Sequence, residues 1–284
     1  MAEQIGESMS QTDGGRKFPV EEFAQFHQEL KEIRASLAAS LDKQSELSQL
    51  TGDVARERIS SGKPVLELPV ALPEEGALCD AAIRILDAVV KNEVFDKPEA
   101  DAAKKIIEGG GLDLSVLTSV VVTGDSHAVE KAALDSGLAL DTLLFLVEQL
   151  ARATLTWHSA GIKGLFDDEV KTSRTGACPV CGSHPRISII EGEEGVRKLA
   201  CGMCETVWRY KRIGCPFCGS EDQEKFRRFT VDDEPGLSAL LCDVCKRYLK
   251  QIDRRKLGDD EYGVTELETM SSRFDILARR EGYR

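Results

Sequence analysis

Four Cys-x-x-Cys pairs between residues 178 and 245 constrain the fold of this chain more than any other feature. They form the runs CPVC, CGMC, CPFC and CDVC and account for eight of the nine cysteines. The third pair follows the first by 37 residues and the fourth follows the second by 41, which indicates an internal repeat of one module. Each module brackets a gap of 19 or 23 residues with two thiol pairs, the spacing typical of a four-thiolate metal site.

The spacing within each pair has a physical reason. Two cysteines three residues apart on a tight turn direct both sulfur atoms to one point, and the glycine after CPVC and CPFC permits the sharp turn. A module of about 35 residues buries little core, so a bound metal supplies much of its folding free energy. The repeat favours sequential pairing over an interleaved cross-brace. The predicted ligands of site one are Cys178, Cys181, Cys201 and Cys204, and those of site two are Cys215, Cys218, Cys242 and Cys245.

The chemistry of such sites is limited. A closed shell of four thiolates leaves no position for water or substrate, so we expect no hydrolytic catalysis and no enzyme. Tetrahedral sulfur ligation suits zinc or a single iron ion, and the spacing does not choose between them. A thioredoxin-like redox pair is disfavoured because such a pair is normally single and follows a strand in a βαβ unit.

Composition narrows the setting. With 284 residues the chain is long enough for about two domains. It has no apolar run long enough to span a bilayer and no secretory leader, so we expect a cytoplasmic protein whose cysteines stay reduced. Residues 1 to 170 carry a net charge of −14 and the remainder +2, which disfavours nucleic acid as a partner of the whole chain.

The region before the cysteines is predicted to be all-α, with a disordered leader over 1–17 and a helical domain over 18–170. Apolar residues from Phe23 to Leu37 recur at helical spacing. The polar, proline-bearing stretch 42–76 is interpreted as a connecting arm outside the core. A helix from Cys79 is predicted to bury Ile83, Leu86, Val90 and Val94 and to end near Pro98. Further helices are predicted over 100–108, over 114–122, from about 125, and over 141–155 with Asp141 as N-cap.

The cysteine block is predicted to fold as two metal modules, over 176–212 and 213–255, with a C-terminal helix over 265–284. Short alternating segments such as ISIIEG, VRKLA, TVWRY and KFRRFTV predict strands. Trp208 and two tyrosines, Tyr210 and Tyr248, are either interface anchors or covers of the metal sites. Charge runs such as KRYLKQIDRRK are interpreted as solvated faces. Cys79 is expected to pack in the core, and His184 is at most a neighbour of a metal ligand.

The block resembles the FdhE family of formate dehydrogenase accessory proteins. The resemblance rests on VRKLACGMCETVWRYKRIGCPFCGS with Trp208 and Arg212, on the preceding CPVCGSHP, and on CDVCKRYLKQID. It covers about 176–255 strongly, and the C-terminal SSRFDILARREGY is also similar to the family's ending. The N-terminal region resembles the family only in being helical.

The resemblance implies two rubredoxin-like modules after a helical domain, with iron bound by the eight cysteines. It implies a cytoplasmic assembly factor that binds the catalytic subunit of a respiratory formate dehydrogenase before export. Two other functions remain open from the residues alone: a tandem zinc-ribbon adaptor for nucleic acid, and a small electron-transfer protein. The oligomeric state is open as well.

Overall fold

A computed structural model of the chain describes residues 20–41, 51–67, 69–94, 96–125, 127–162, 175–231, 234–257 and 262–284. The predicted leader over 1–17 lies outside these residues, and so does the side chain of Phe23. The described chain divides into an N-terminal helical region, a β-sheet that carries the cysteines, and helices at the C-terminus. This is the predicted fold class.

The helical region contains α1 to α7. Their bounds are Val20–Ala38, Gly52–Ser60, Glu75–Lys91, Lys97–Glu108, Leu114–Thr123, His127–Ser136 and Leu140–Ile162. In α1, Phe26, Leu30, Ile33 and Leu37 are buried as their spacing predicts, and they join a core formed with α3, α4, α5, α6 and α7. Residues at i, i+3 and i+4 share one face of a helix, so this apolar stripe accounts for the packing of α1.

Several details of the helix predictions are wrong. In α3, Leu86 is buried and Ile83 and Val90 are partly buried, as predicted, but the helix ends at Lys91 and Val94 is exposed. Pro98 lies in the first turn of α4, where its missing N–H costs nothing, so it begins a helix rather than ending one. Asp141 lies in the first turn of α7 and is not its N-cap.

The interpretation of stretch 42–76 as an arm outside the core is also wrong for the described part of the stretch, and residues 42–50 and 68 lie outside the described residues. Gly52–Ser60 form α2, which Thr51 caps by accepting a hydrogen bond from the Val54 N–H. After α2, Val65 and Leu66 are 1 % and 4 % exposed and pack against the first cysteine module. The signal for this burial was the apolar run PVLELPVAL, whose prolines suggested a linker instead.

One six-stranded sheet carries both modules. Its strands are β1 Pro185–Glu191, β2 Val196–Cys201, β3 Val207–Arg209, β4 Phe226–Thr230, β5 Leu237–Cys242 and β6 Arg247–Asp253. The order across the sheet is β3, β2, β1, β6, β5, β4. Neighbours are antiparallel except β1 and β6, which pair in parallel from Ile187 with Lys250 to Ile190 with Asp253. Each module therefore contributes three strands, and the parallel pair joins them.

The predicted C-terminal helix is two short helices, α8 Val264–Met270 and α9 Arg273–Arg280. They bury Leu267 and Phe274 against the sheet. The charge run KRYLKQID is not a solvated face, because it forms the central strand β6. Lys250 is 2 % exposed there, and its ammonium group pairs with Asp275 of α9 at 2.7 Å.

A group of charged side chains around the largely buried Glu268 joins the helical region, the sheet and α8. Glu268 of α8 accepts from Arg152 of α7 at 3.0 Å and from Arg186 of β1 at 3.2 Å. Burial opposes ionisation of Glu268, but Arg152 and then Arg186 and Lys250 hold its pKa at about 2. This carboxylate ties three parts of the fold together.

None of the described helices combines the length and apolar character needed to cross a membrane.

Candidate metal centres

The structure brings the eight cysteines together as two groups of four, grouped as sequential pairing predicts. In the first group the Sγ atoms of Cys178 and Cys204 are 3.5 Å apart, and so are those of Cys181 and Cys201. The second group has separations of 3.7 Å between Cys215 and Cys245, and of 3.8 Å between Cys218 and Cys242. No disulfide joins any of these residues.

These distances fit a tetrahedral metal ion. A metal–sulfur bond of about 2.3 Å places the sulfur atoms of a tetrahedron about 3.8 Å apart. In each group all four sulfur atoms lie within 4.8 Å of one another. A disulfide requires about 2.05 Å between sulfur atoms, so the groups are preorganised for metal rather than oxidation.

The residue after each cysteine pair has the same backbone conformation. Gly182 and Gly219 have φ of 80° and 75°, and Glu205 and Lys246 have φ of 58° and 55°. A positive φ turns the chain around the sulfur atoms, and it costs a residue with Cβ about 1 to 2 kcal/mol. Each of the four cysteine pairs in the sequence is therefore followed by an equivalent turn, and in two of these turns a residue with Cβ adopts the strained positive φ.

Further backbone contacts fix these turns. The N–H groups of Cys178, Cys201 and Cys215 donate to the carbonyl oxygen five residues later, at 2.8 to 2.9 Å. In the first group, the N–H of Val180 lies 3.4 Å from the Cys178 sulfur and that of Met203 lies 3.3 Å from the Cys201 sulfur. Such N–H groups stabilise thiolates, which a metal site needs.

Site one is covered by the helical region. The N–H groups of Val65 and Leu66 donate to the carbonyls of Pro179 and Val180, each at 2.9 Å. From α7, the hydroxyl of Thr156 donates to the carbonyl of Met203 at 3.3 Å. All four cysteines are at most 2 % exposed. Sequence analysis missed these covering residues because they lie more than 100 residues before the cysteines or on a distant helix.

A hydroxyl pair extends the surroundings of site one. The Thr206 hydroxyl lies 3.1 Å from the Cys204 sulfur and 3.0 Å from the hydroxyl of Ser159 on α7. Burial raises the pKa of the Cys178 and Cys204 thiols well above the ordinary value. Four buried thiolates without a cation are costly, so metal binding to this site must release protons.

Site two lies at the surface. Cys215 and Cys242 are buried, Cys245 is half-buried and Cys218 is exposed. Val244, between the last two cysteines, is 55 % exposed. The two sites therefore consist of the same residue type on the same backbone turns, but they differ in the residues that cover them.

The aromatic residues of WRY cover the sites and are not exposed anchors. Trp208 is fully buried in the cluster that contains the cysteines of site one, and its indole N–H donates to the carbonyl of Thr175 at 2.9 Å. Tyr210 is 5 % exposed and donates to the carbonyl of Cys215 at 3.1 Å. Tyr248 is half-buried and donates to Asp275. The choice left open by the sequence is therefore decided for Trp208 and Tyr210.

The remaining candidate residues lie outside both groups. Cys79 is partly buried against the helical core, as predicted, with its sulfur 3.7 Å from a Glu75 carboxylate oxygen. His184 is exposed and its ring contacts that of Phe217, with centroids 5.5 Å apart. His158 is buried, with Nε2 2.8 Å from the carbonyl of Ala71. Among the described residues no histidine joins a cysteine group.

Fold and sites together define a class of protein: a helical region that carries two tandem four-cysteine modules on one shared sheet. The family model described as "FdhE, central domain" matches residues 177–212. The "Protein FdhE homolog" of Aquifex aeolicus (strain VF5) is 33% identical over 159 residues, 53% of this chain and 52% of that protein. That of Rhizobium meliloti (strain 1021) is 28% identical over 200 residues, 68% of this chain and 60% of that protein. Over the matched residues, the chain is similar to proteins of the FdhE family.

A solved structure extends the likeness of the fold beyond the cysteines. The crystal structure of the FdhE protein from Pseudomonas aeruginosa superimposes with a TM-score of 0.58 at 19% identity, over 93% of this chain and 90% of that one. In sequence, the chain matches only about half to three fifths of the length of the two relatives above. The structural likeness therefore carries the fold of the helical region, where sequence motifs are weak.

Proposed function

We propose that this chain is a non-enzymatic accessory protein for the maturation of formate dehydrogenase, acting in the cytoplasm on the catalytic subunit of that enzyme. The observation that carries the proposal is the pair of four-cysteine groups on an FdhE-type fold. Closed four-thiolate sites hold structure or transfer single electrons, and they leave no position for a substrate. A role in binding and preparing another protein is consistent with this chemistry.

The eight cysteines that form the two groups are the proposed metal ligands, with one ion per group. Iron is the proposed metal, by family resemblance, and zinc is the alternative that the sulfur geometry accommodates equally. The domain boundaries at 170, 212 and 255 stay predictions. The shared sheet indicates that the two modules act as one rigid platform, since strands of both pair at its centre.

The partner is tested with the purified full chain and the formate dehydrogenase catalytic subunit of the same organism. We expect a stable complex in size-exclusion chromatography and calorimetry, and we expect deletion of the gene to lower formate oxidation. Cys218→Ser, which removes a proposed metal ligand, is tested for its effect on this complex, and Cys79→Ser is its matched control, because Cys79 lies outside both groups. Absence of a complex together with unchanged formate oxidation would refute the proposal.

The metal is tested separately. Protein purified without oxygen is measured by elemental analysis and by its visible absorption spectrum. Ferric iron ligated by four thiolates absorbs strongly in the visible region, whereas ferrous iron and zinc absorb little there, so the spectrum is recorded before and after mild oxidation. Two equivalents of iron would support the assignment of iron. A colourless protein with two equivalents of zinc would assign zinc to both groups and would leave the partner proposal unaffected.

A further inference from the structure

A cavity of about 250 Å³ lies beside site two. Its apolar walls come from Ile213, Phe217, Phe226 and Leu240, and the buried cysteines Cys215 and Cys242 also border it. It is smaller than the roughly 300 to 1,000 Å³ of typical small-molecule pockets. Its size suits one or two anchoring side chains of a partner protein.

The internal repeat shows what covers the matching surface of the first module. At the repeat offsets, Phe217 matches Val180, and Val244 matches Met203. Val180 is 2 % exposed in one hydrophobic cluster with Leu66, whose N–H donates to the Val180 carbonyl. The Met203 carbonyl accepts from Thr156 of α7.

The cover of the second module is incomplete. Phe217 is half-buried and Val244 is exposed, and neither carbonyl accepts a hydrogen bond from any described residue. Gly176 packs closely on Pro216, the neighbour of Phe217, so only part of the surface is covered by the chain itself.

The rim of the cavity carries positive charge without an acidic partner. Arg212 is exposed, and Arg247 stacks on the ring of Phe217 with its guanidinium 5.2 Å from the centroid. Within the described residues neither arginine pairs with a carboxylate, although both border the cavity. Three other cations between residues 211 and 246 are paired: Lys211 with Glu221, Arg227 with Asp243, and Lys246 with Asp243.

We propose that this cavity binds an extended segment of the client protein that places a large apolar side chain against Phe217 and Leu240 and an acidic side chain against Arg212 and Arg247. The inference rests on the proposed function, since it assigns the surface that holds the client. Arginine presents a planar fork that matches a carboxylate, and arginine and aromatic anchors beside an apolar pocket are typical of binding hot spots.

A peptide fits this surface better than a nucleic acid. Nucleic-acid sites track many phosphates with a stripe of cations. Here three arginines, the buried Arg197 together with Arg212 and Arg247, border one cavity. The exposed carboxylates of Glu221, Asp222 and Glu224 follow the third cysteine pair closely. A phosphate backbone would be repelled by these carboxylates, whereas a short acidic and apolar segment contacts only the cavity and its rim.

The test uses the full chain and two pairs of matched variants. Arg212→Glu is compared with Arg209→Glu, since both arginines are exposed and only Arg212 borders the cavity. Ile213→Asp is compared with Ile276→Asp, since both isoleucines are 42 % exposed and only Ile213 borders the cavity. Affinity for the purified catalytic subunit is measured by calorimetry, and circular dichroism with metal analysis verifies that each variant is folded.

We expect Arg212→Glu and Ile213→Asp to weaken binding about tenfold or more, and the two controls to change it less than about twofold. Overlapping 15-residue peptides of the subunit provide the second probe. Wild type should select peptides in which Asp or Glu neighbours a large apolar residue, and Asn or Gln in place of that acid should abolish binding.

The outcomes separate the two proposals. If wild type binds the subunit and all four variants bind equally, the cavity is not the client site and the proposed function stands. If wild type does not bind the subunit, the client site fails, and if deletion of the gene also leaves formate oxidation unchanged, the proposed function fails as well. If the peptides do not bind and a mixed-sequence single-stranded RNA binds in an Arg212-dependent way, the assignment of a peptide to this surface is overturned.

Discussion

Sites one and two each consist of four cysteines on the same type of backbone turn, yet site one is buried and site two is partly exposed. The cysteines of site one are at most 2 % exposed and lie in one hydrophobic cluster with Trp208 and Leu66. Site two exposes Cys218 and borders a cavity. The sequence repeat determines the geometry of each site, and residues from outside the repeat determine how each is covered.

This difference indicates a division of labour between equivalent modules. Because site one lies between the helical region and the sheet, its metal would act as part of the hydrophobic core. Among the described residues, site two has no cover from the helical region comparable to that of site one, and its surroundings are therefore available to another protein.

Loss of one ligand should separate the sites most clearly. We expect Cys201→Ala to lower the free energy of unfolding of the whole chain by about 4 kcal/mol, because it removes a metal from the core. Cys218→Ala should cost about 1 to 2 kcal/mol, since its surroundings are solvated. Urea denaturation followed by circular dichroism measures both, with Cys79→Ala as control. Equal losses would show that burial does not distinguish the sites.

Metal removal should follow the same order. We expect a chelator to remove the metal of site two about 100-fold faster than that of site one, because release from site one requires local opening of the helical cover. The release kinetics should be biphasic in wild type and should lose the fast phase in Cys218→Ala. A single phase with two equivalents released would contradict the comparison.

Acidification should affect the attachment of the helical region. Glu268 has a pKa of about 2, below the value of about 4.3 for an unfolded glutamate. Its stabilisation is therefore complete above about pH 4.3 and is lost as the pH falls towards 2. We expect Glu268→Gln to cost about 2 to 3 kcal/mol at pH 7 and to flatten the dependence of stability on pH between 5 and 3. The midpoint of urea denaturation is measured across this pH range for wild type and Glu268→Gln. Parallel curves for the two proteins would exclude Glu268 as the titrating group.

The smallest effects concern the two strained turns. Lys246 is exposed, so Lys246→Gly should relieve its positive φ and stabilise the chain by about 0.5 kcal/mol after loss of a surface ion pair. Glu205 accepts from the Thr265 hydroxyl at 3.0 Å and lies 4.0 Å from the buried Arg34, so Glu205→Gly should destabilise by about 1 kcal/mol. Thermal unfolding shows whether each variant is more or less stable than wild type. A change of the same sign in both variants would contradict this difference between the sites.

The grouping of the eight cysteines was predictable, because each Cys-x-x-Cys pair is recognisable in a few residues and the repeat indicates which pairs belong together. The strands around them were predictable for the same reason, since ISIIEG, VRKLA and KFRRFTV alternate locally. The cover of site one was not predictable, because Val65 reaches Pro179 across more than 100 residues and no periodic pattern marks such a contact. Lys250 was misinterpreted because a charged residue in a central strand requires a distant partner, here Asp275.

The parallel pairing of β1 with β6 also has a consequence for the order of synthesis on the ribosome. The first module emerges complete while β6 is still about 40 residues from being made, so one edge of β1 waits without a partner strand. An open edge of this kind is a template for pairing with other chains. Nascent chains stalled between the third and fourth cysteine pairs should therefore be the species most prone to aggregate.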